Sequence, residues 1–433
     1  MSAPLSLSAD VLLGVVRAEF EQVPDERAEN ASLALADALM SGYALFALKD
    51  PSLLAFDERR TTDRNVHTIF KIGQVPSDTQ MRRLLDDVAP ADLRPVYRRV
   101  HRELAARGQL RPYGFLEGSY LVSLDGTGYF SSKKVHCPAC QQKVNAKTGE
   151  ITYYHQLLGG VIIHPDRPQV IPLMPEPILR LDGDATNDCE RNAAKRFLDQ
   201  LAADYPERVF TITEDALSPN APHIRELRRQ GYHFILGVKE GDHAHLFEQV
   251  ASARQAERTT EYEITEGQTV HRFSFINGVA LNQSSPDLLV NFIEYWEIRP
   301  GKTQHFSWVT DFTVTTANVM RLMQGGRARW KVENETFNTL KNQGDHFEHN
   351  FGHGQQNLSV VFAVLMMLAF LVDQIQHLGD ALFQAALKKA KRLCRLWEKL
   401  RALFTTLEFK SMAEVLQAIA YGYRATVQLE TPG

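Results

Sequence analysis

The hydrophobic pattern divides the chain into two helical ends and a middle that is rich in strands. Apolar residues follow a heptad-like spacing in Val11 to Phe20 and in Leu33 to Leu48, which predicts helices within residues 1–115. Residues 355–433 predict helices again, including the unbroken apolar run Val360 to Val372. This run is shorter than the roughly 20 residues that a membrane-spanning helix needs. We therefore interpret it as a buried helix and expect no membrane partner.

Short runs of β-branched, aromatic and aliphatic residues predict strands in the middle of the chain. One helix is predicted among them, over Asp188–Ala203. Between about Gly241 and Lys302 the pattern becomes β-rich, and the dipeptide Asn277-Gly278 is typical of a hairpin turn. The strands that precede this segment are predicted at Tyr120–Leu124, Tyr153–Ile163, Val170–Leu173, Val209–Thr213 and His233–Val238.

These elements predict an α/β protein with helical regions at both ends. The pattern places a helical region at 1–115, the first part of an α/β core at 116–240, a β-rich insertion at 241–304, the second part of the core at 305–354 and a helical region at 355–433.

Two acidic sites follow predicted strands. Asp125 comes directly after the apolar run Leu121 to Leu124, and the glycines that follow it prevent the strand from continuing simply. Glu214 and Asp215 follow the β-branched run Val209–Thr213 and precede a helix that is predicted to start near Ser218-Pro219. Each site has an ordinary alternative, an Asp-Gly turn in the first case and a helix-capping or turn acid in the second. Either carboxylate would also project into an open site at a strand end.

A third acid lies on a helix predicted from Arg327 to Lys341. At 3.6 residues per turn Glu333 shares a face with the apolar residues Trp330, Phe337 and Leu340, with Arg329 and Lys341 flanking it, whereas Glu335 lies about 200° around the helix. A core-facing glutamate needs a cation or a metal ion, because an unpaired buried charge is costly. The alternative is a surface ion pair with Arg329, four residues earlier.

The order Asp125, Asp215, Glu333, with Arg329 before the glutamate and Lys341 after it, resembles the DDE transposases of bacterial insertion sequences. It is most similar to the cut-and-paste branch, in which a β-rich insertion interrupts an RNase H-like core. The resemblance runs from about Tyr120 to His353 and is carried by the blocks SLDGTGYFSS, DCERNAAKRFL, EDALS, GYHFILGVK and RARWKVENETFNTLKNQGDHFEHNFGHG.

The resemblance implies two Mg²⁺ (or Mn²⁺) ions held by Asp125, Asp215 and Glu333, and DNA backbone contacts from Arg329 and Lys341. Two-metal sites of this kind need hard oxygen ligands. It also implies DNA partners, namely terminal inverted repeats and target DNA, and a homodimer in the active complex. The helical region 1–115 would contact the element's ends or a second subunit.

The chain departs from the family pattern at two positions. Gly326 stands where the family usually has a tyrosine, and Lys341 falls one residue later than usual, which leaves Glu335 as a competitor of Glu333. Glu333 lies on the apolar face of the predicted helix and Glu335 does not, which favours Glu333 as the catalytic glutamate. Two other functions stay open, a nuclease that uses the same three acids and an inactive descendant that only binds DNA.

The net charge of −4 is unexpected for a protein that holds DNA, but the basic residues are concentrated. Lys388 to Arg401 contains seven Lys or Arg against one Glu, and the segments Arg59–Arg64 and Arg94–Arg111 are also rich in arginine. Each stretch alone is typical of a solvated helix face. Together with the three acids they favour at least one DNA-contacting surface.

The chain has four cysteines and shows no signal peptide, so we expect a reducing, cytoplasmic location. Cys137 and Cys140 have the spacing of half a zinc site, and the candidates to complete it are His136, His155 and Cys189. The alternative is a pair of reduced thiols in a loop. A later group, His346, His349 and His353, lies among glycines, which favours an ordinary loop or a DNA contact over metal binding.

Overall fold

The computed structural model of the protein describes residues 7–27, 31–180, 188–215 and 219–424. It is a mixed α/β protein in which helices from both ends of the chain flank one mixed sheet, as the sequence predicts. The strands are β1 Tyr120–Ser132, β2 Gln141–Val144, β3 Ile151–His164, β4 Arg167–Pro172, β5 Glu176–Ile178, β6 Phe210–Glu214, β7 His233–Gly237, β8 Thr260–Glu266, β9 Thr269–Asn282, β10 Ser285–Arg299 and β11 Lys302–Thr310.

The α-helices come in three groups along the chain, and three short 3₁₀ segments and one π-helix separate some of them. The π-helix covers Val332–Phe337. The α-helices are α1 Ala9–Phe20, α2 Leu35–Ala47, α3 Leu53–Thr62, α4 Asn65–Thr68, α5 Asp78–Asp86, α6 Arg94–Ala106, α7 Glu190–Asp204, α8 Ala221–Arg229, α9 Ala244–Gln255, α10 Val319–Ala328, α11 Asn338–Asn342, α12 Leu358–Gly379, α13 Ala381–Ala390, α14 Leu393–Thr406 and α15 Met412–Tyr421.

The centre of the sheet is parallel. Strand β6 pairs in parallel with β1 on one side and with β7 on the other, and β3 runs antiparallel along the opposite edge of β1. All five residues of β6 are buried, because helices or other elements cover both faces of a parallel sheet. The five predicted core strands are all confirmed, and their observed ends differ from the predicted ends mainly in β1, which is much longer.

The β-rich segment continues the central sheet. Strand β11 pairs antiparallel with β7, so the strand order β2-β3-β1-β6-β7-β11-β10-β9-β8 is one path. The segment begins with helix α9, which the β-rich pattern did not predict, and α9 buries Leu246, Val250 and Ala253 at helical spacing. The strands also extend beyond the predicted boundary, to Thr310.

The predicted hairpin turn at Asn277-Gly278 is wrong. Strand β9 runs through both residues, and the pairing register with β10 shifts there, which is the mark of a β-bulge. Gly278 has a φ of +75° and donates its N–H to the Asn291 side chain at 3.0 Å. The Asn277 side chain exchanges two hydrogen bonds with the backbone of Val314. Partners distant in sequence therefore hold this dipeptide inside a strand.

The helices from the two ends of the chain form one body. Helix α12 packs against α2 and α5, and α1 packs against α15. Lys49 at the end of α2 is buried and pairs with Asp345 and Asp373 at 2.6 Å each. Burial raises the pKa of Asp373 to about 7. Both predicted helical regions are confirmed, but they are halves of a single packed unit.

Helix α12 is the centre of this body. Within the described residues it is the one helix that is long and apolar enough to cross a membrane, yet 94% of its apolar window is buried inside the protein. Its N-terminus is capped by Asp86 of α5, which accepts hydrogen bonds from the backbone N–H groups of four consecutive residues, Gln355, Gln356, Asn357 and Leu358. The predicted buried helix over Val360–Val372 is confirmed.

Candidate active site and a metal-binding cluster

Asp125 lies on β1, just beyond the point where the neighbouring strand β6 stops pairing with it. The parallel pairing of β1 with β6 ends at Ser123, while its antiparallel pairing with β3 continues and sets Asp125 opposite Gly159. The expectation that the strand ends at Asp125 is wrong, since β1 runs on to Ser132. The opening beside Asp125 arises because β6 stops, and the carboxylate projects into a cavity formed there.

The acids after β6 border the same cavity. Glu214 is the last residue of β6, is buried, and has one carboxylate oxygen 2.8 Å from Nε2 of His223. Asp215 follows it and lines the cavity with Asp125. Helix α8 begins at Ala221 with Asn220 as its cap, and residues 216–218, which include the predicted helix start at Ser218, lie outside the described part of the chain.

Glu190 is a further carboxylate in this cavity, and sequence reasoning missed it. It is the first residue of α7, and its Oε1 lies only 2.2 Å from the point where a β-carbon on Gly126 would stand. Only glycine therefore leaves room for the Glu190 carboxylate beside the strand. The available signal was an acid in the first turn of a predicted helix, which is ordinarily explained by the helix dipole.

Burial and neighbouring negative charges raise the pKa values of Asp125 and Glu190. Burial raises the pKa of Asp125 to about 6 against the attraction of Arg329, and the negative charges of Glu190 and Asp215 add to the rise. Desolvation, followed by the charge of Asp215, likewise raises the pKa of Glu190. Nη1 of Arg329 lies 3.9 Å from Oδ2 of Asp125. The cavity therefore concentrates negative charge that a bound cation would stabilise.

The segment that carries Glu333 crosses the sheet beside Asp125. The Ser123 hydroxyl donates to the carbonyl of Arg329 at 2.9 Å, and Nζ of Lys331 donates to the carbonyl of His164 at 2.8 Å. Further along, the Phe337 ring lies 2.7 Å from the position of a β-carbon on Gly159, the partner of Asp125 across the ladder. Between these anchors the backbone forms the π-helix, a form that is often found at functional sites.

Glu333 itself is exposed, and so is Glu335. The expectation that Glu333 shares a buried face with Trp330 is wrong, because Trp330 lies in a turn before the π-helix and is 53% exposed. Phe337 and Leu340 are buried as predicted. The cavity walls contain Asp125, Glu190 and Asp215, while Glu333 stands outside them on the helix surface.

The two predicted DNA-binding residues lie on either side of the π-helix. Arg329 is close to Asp125, whereas Lys341 pairs with Glu348 at 3.0 Å, where it retains solvent access. A second groove adjoins Asp215 on the other side. Its lining combines cations and aromatic rings, among them Lys239, Arg327, Arg329, Trp308 and Trp330, with the carboxylates Glu214, Asp215, Glu240 and Glu294. Cations and aromatic faces together suit a nucleic acid strand.

Gly326 stands where the family pattern has a tyrosine, and the structure gives a steric reason for the glycine. A β-carbon at Gly326 would stand 2.4 Å from Nε1 of Trp308, closer than any real contact. The indole of Trp308 belongs to β11 and is itself buried. A tyrosine at position 326 would need the space that Trp308 fills, so the tyrosine of the family pattern is excluded here.

The three basic stretches have different surroundings. Arg59 forms buried ion pairs with Asp50 and Asp63, and Arg94 forms an ion pair with Asp204. The stretch from α13 to α14 instead presents six exposed cations, which take part in no ion pair among the described residues: Lys388, Lys389, Lys391, Arg392, Arg395 and Lys399. We call these six residues the α13–α14 basic patch.

A buried cluster of Cys137, Cys140, His155 and His353 could hold a metal ion. The two sulfur atoms are 3.6 Å apart, and Nε2 of His155 lies 3.3 Å from Sγ of Cys137 and 3.2 Å from Sγ of Cys140. Nδ1 of His353 lies 3.9 Å from Sγ of Cys140. All four ligand atoms lie within 4.8 Å of one another.

The cluster corrects two expectations about its ligands. Cys189 is not a member, because it is exposed at the cap of α7 and lines the Asp125 cavity instead. His136 is also outside, with its ring stacked on Tyr153 at 4.2 Å. The fourth position belongs to His353, for which the sequence favoured a loop or a DNA contact.

Hydrogen bonding shifts the pKa values of the two thiols of the cluster in opposite directions. The bond from Cys140, and then the His155 ring, lower the pKa of Cys137 far below its ordinary value, while the same partnership raises the pKa of Cys140. One thiol of the pair is therefore ready to lose its proton, as metal binding by cysteine requires.

Comparison with known proteins identifies no family for this chain. No protein-family model matches the chain. A search of curated proteins also finds no match.

Proposed function

We propose that the protein is a DDE transposase that cleaves DNA at the ends of an insertion sequence and joins the freed strand to target DNA. The observation that carries this proposal is the meeting of Asp125 and Asp215, from neighbouring parallel strands, in one cavity beside Arg329. A protein that only binds DNA has no need of carboxylates that converge in one cavity.

The strand order supports an RNase H-like core. Strands β4-β3-β1-β6-β7 lie side by side, with β3 antiparallel to β1 and β4, and with β1, β6 and β7 parallel. Asp125 and Asp215 then belong to the two central strands of such a core, where the first two acids of the family stand. Strands β8 to β11 correspond to the β-rich insertion, while the short strands β2 and β5 pair with β3.

The chemistry of these residues suits a pair of Mg²⁺ (or Mn²⁺) ions. Carboxylate oxygens are the ligands these hard cations prefer, and the excess negative charge beside Asp125 is otherwise relieved only partly by Arg329. Asp125, Asp215 and Glu333 would hold the ions. When bound, the ions activate the attacking water or 3′-hydroxyl and stabilise the leaving oxygen.

Glu333 would have to turn toward the cavity to complete this set. It is exposed and lies in a π-helix, between anchors at Ser123 and Gly159. Glu190, already in the cavity, is a fourth carboxylate that can support a metal ion or orient its water. Arg329, which lies beside Asp125, would hold the nearby phosphate of the transferred strand. Lys341, about two helical turns beyond Glu333, would hold another phosphate.

DNA contacts beyond the cavity would come from two surfaces. The groove next to Asp215 offers cations and the exposed Trp330 to one strand. The α13–α14 basic patch offers a second phosphate-binding surface, and neutralisation of phosphates provides much of the affinity of such proteins. A homodimer would let one subunit contact one end of the element while its partner contacts the other.

We also infer that the metal of the Cys137–Cys140–His155–His353 cluster is Zn²⁺. Two thiolates and two imidazoles are a common ligand set of structural zinc and a poor one for Mg²⁺. All four residues are buried, so the site has no open position for a substrate. Zinc would therefore stabilise the protein and take no direct part in DNA chemistry.

The test of the transposase proposal uses a labelled DNA end taken from the repeats that flank the gene. Single alanine variants of Asp125, Asp215 and Glu333 should lose Mg²⁺-dependent cleavage while they retain binding of the DNA end. Exposed Asp242, replaced by alanine, is the matched control and should cleave normally. Normal cleavage by the Asp125 or Asp215 variant would overturn the proposal. Cleavage by the wild type without any joined product would identify a nuclease instead.

A further inference from the structure

We infer that the Cys137–Cys140–His155–His353 cluster is a zinc clasp that fixes the position of the helix carrying Glu333. Cys137 and Cys140 lie between β1 and β2, and His155 lies on β3. His353 comes from the segment that joins α11 to α12, after the π-helix. A metal ion here ties the chain beyond Glu333 to the same two strands that carry Asp125 and its partner Gly159.

The observed distances match those of a tetrahedral zinc site. With zinc–sulfur bonds of about 2.3 Å and zinc–nitrogen bonds of about 2.0–2.1 Å, sulfur atoms should be about 3.8 Å apart and sulfur and nitrogen about 3.5 Å apart. The cluster has 3.6 Å between sulfurs and 3.2 to 3.9 Å between sulfur and nitrogen. The four ligands need only small shifts to accept the ion.

The segment that supplies His353 needs an external anchor. Residues 343–357 contain no helix or strand. Several of them have positive φ angles, including His346 at 58°, Gly344 at 103° and Gly354 at 63°. Such a backbone gains little from its own hydrogen bonds. Its position must come from contacts with other parts of the protein, and the cluster provides one of them.

A series of ring contacts links the cluster to the π-helix. The His155 ring stacks on Tyr129 at 5.6 Å, Tyr129 contacts Phe347 at 5.9 Å, and Phe347 stacks on Phe337 at 6.5 Å. Phe337 is the last residue of the π-helix and lies against Gly159. On the other side of the cluster, the His353 ring lies 4.0 Å from Phe130 of β1. Loss of the metal ion would loosen both ends of this packed series.

The clasp predicts that zinc controls the order of the segment containing Glu333. Removal of zinc should increase the mobility of residues 332–357 and leave helix α8, on the other side of the sheet, unchanged. Cleavage should fall as well, because Glu333 and Lys341 lose their fixed positions. Only this activity readout rests on the proposed transposase function, since zinc content and mobility are measured without DNA.

The experiment compares Cys137→Ser and His353→Ala with Cys394→Ser, a matched control on α14 that lies outside both the cluster and the Asp125 cavity. Elemental analysis should find about one zinc per chain in the wild type and the control, and little in the other two. Hydrogen exchange should become at least tenfold faster in 332–341 of the two cluster variants but not in α8 (221–229). Chelation of the wild-type protein and re-addition of Zn²⁺ gives the same comparison if a variant fails to fold.

Three outcomes separate the ideas. Wild-type protein that folds and cleaves without zinc would overturn the metal site. Zinc that binds and stabilises only its own ligands, with unchanged exchange in 332–341, would overturn the clasp. Zinc-dependent exchange in protein that never cleaves DNA would support the clasp and count against the transposase proposal alone.

Discussion

The acidic cavity predicts that replacing Asp125 by asparagine stabilises the metal-free protein at neutral pH. The folded protein raises the pKa of Asp125 from 3.8 to about 6, with burial as the largest cause. A carboxyl group whose folded pKa lies above its unfolded pKa stabilises the fold only while it is protonated. That contribution is complete below pH 3.8 and is lost as the pH rises through about 6. Asparagine cannot ionise and avoids the loss.

The magnitude follows from the shift. A rise of about two pKa units corresponds to about 3 kcal/mol at about 1.4 kcal/mol per unit. Because 30% of the Asp125 side chain is exposed, solvent screening reduces the expected effect to about 2 kcal/mol. With an unfolding entropy of about 2.1 cal/mol/K per residue, a chain of 433 residues should gain about 2 °C in Tm.

The assay is thermal unfolding at pH 4 and pH 8, without metal and with Mg²⁺. Asp125→Asn should unfold at a higher temperature than the wild type at pH 8, and the difference should fall below about 1 kcal/mol at pH 4. Mg²⁺ should stabilise the wild type and have less effect on the variant. Asp242→Asn, an exposed control, should show neither difference. An Asp125→Asn variant that is no more stable than the wild type at pH 8 would refute the reasoning.

Two further predictions concern the π-helix and the cap of α12. Glu333→Gln should lower the rate of single-turnover cleavage by several orders of magnitude. Glu335→Gln should lower the rate less than tenfold, which corresponds to about 1.4 kcal/mol of activation barrier. The reverse result would move the catalytic glutamate by two positions. Asp86→Ala should lower the free energy of unfolding, measured from the urea midpoint, by about 2–3 kcal/mol, because four backbone N–H groups lose a charged acceptor. Replacing the neighbouring exposed residue, Asp87→Ala, should change the urea midpoint little. Equal effects of the two variants would show that the cap is unimportant.

Local signals were sufficient for most elements of the fold. The β-branched run Val209–Thr213 and the apolar run Val360–Val372 need only their own residues to be recognised, and both appear in the structure as predicted. The Asn277-Gly278 dipeptide is a counterexample. The same residues suit a hairpin turn or a bulge, and the choice was made by Asn291 and Val314, which lie further along the chain.

The candidate site was only partly predictable, for a physical reason. Asp125 and Asp215 could be brought together because neighbouring parallel strands place their ends at one edge. Glu190 could not, because its carboxylate reaches the cavity only through the space left by Gly126. His353 is separated from His155 by most of the core, so its place beside two cysteines depends on the path of the whole chain.

The single helical body has a consequence for synthesis of the chain. The N–H of Ala9 in α1 donates to Asp380, 371 residues later, so this contact waits for almost the entire chain to leave the ribosome. At about 5–20 residues per second the wait is roughly 20–75 s. During that time α1 and α2 can pack on each other and on α5 and α6, but their surfaces that contact α12 and α15 in the folded protein stay uncovered. The newly made N-terminal region therefore depends on temporary protection, from a chaperone or from its own collapse, until α12 arrives.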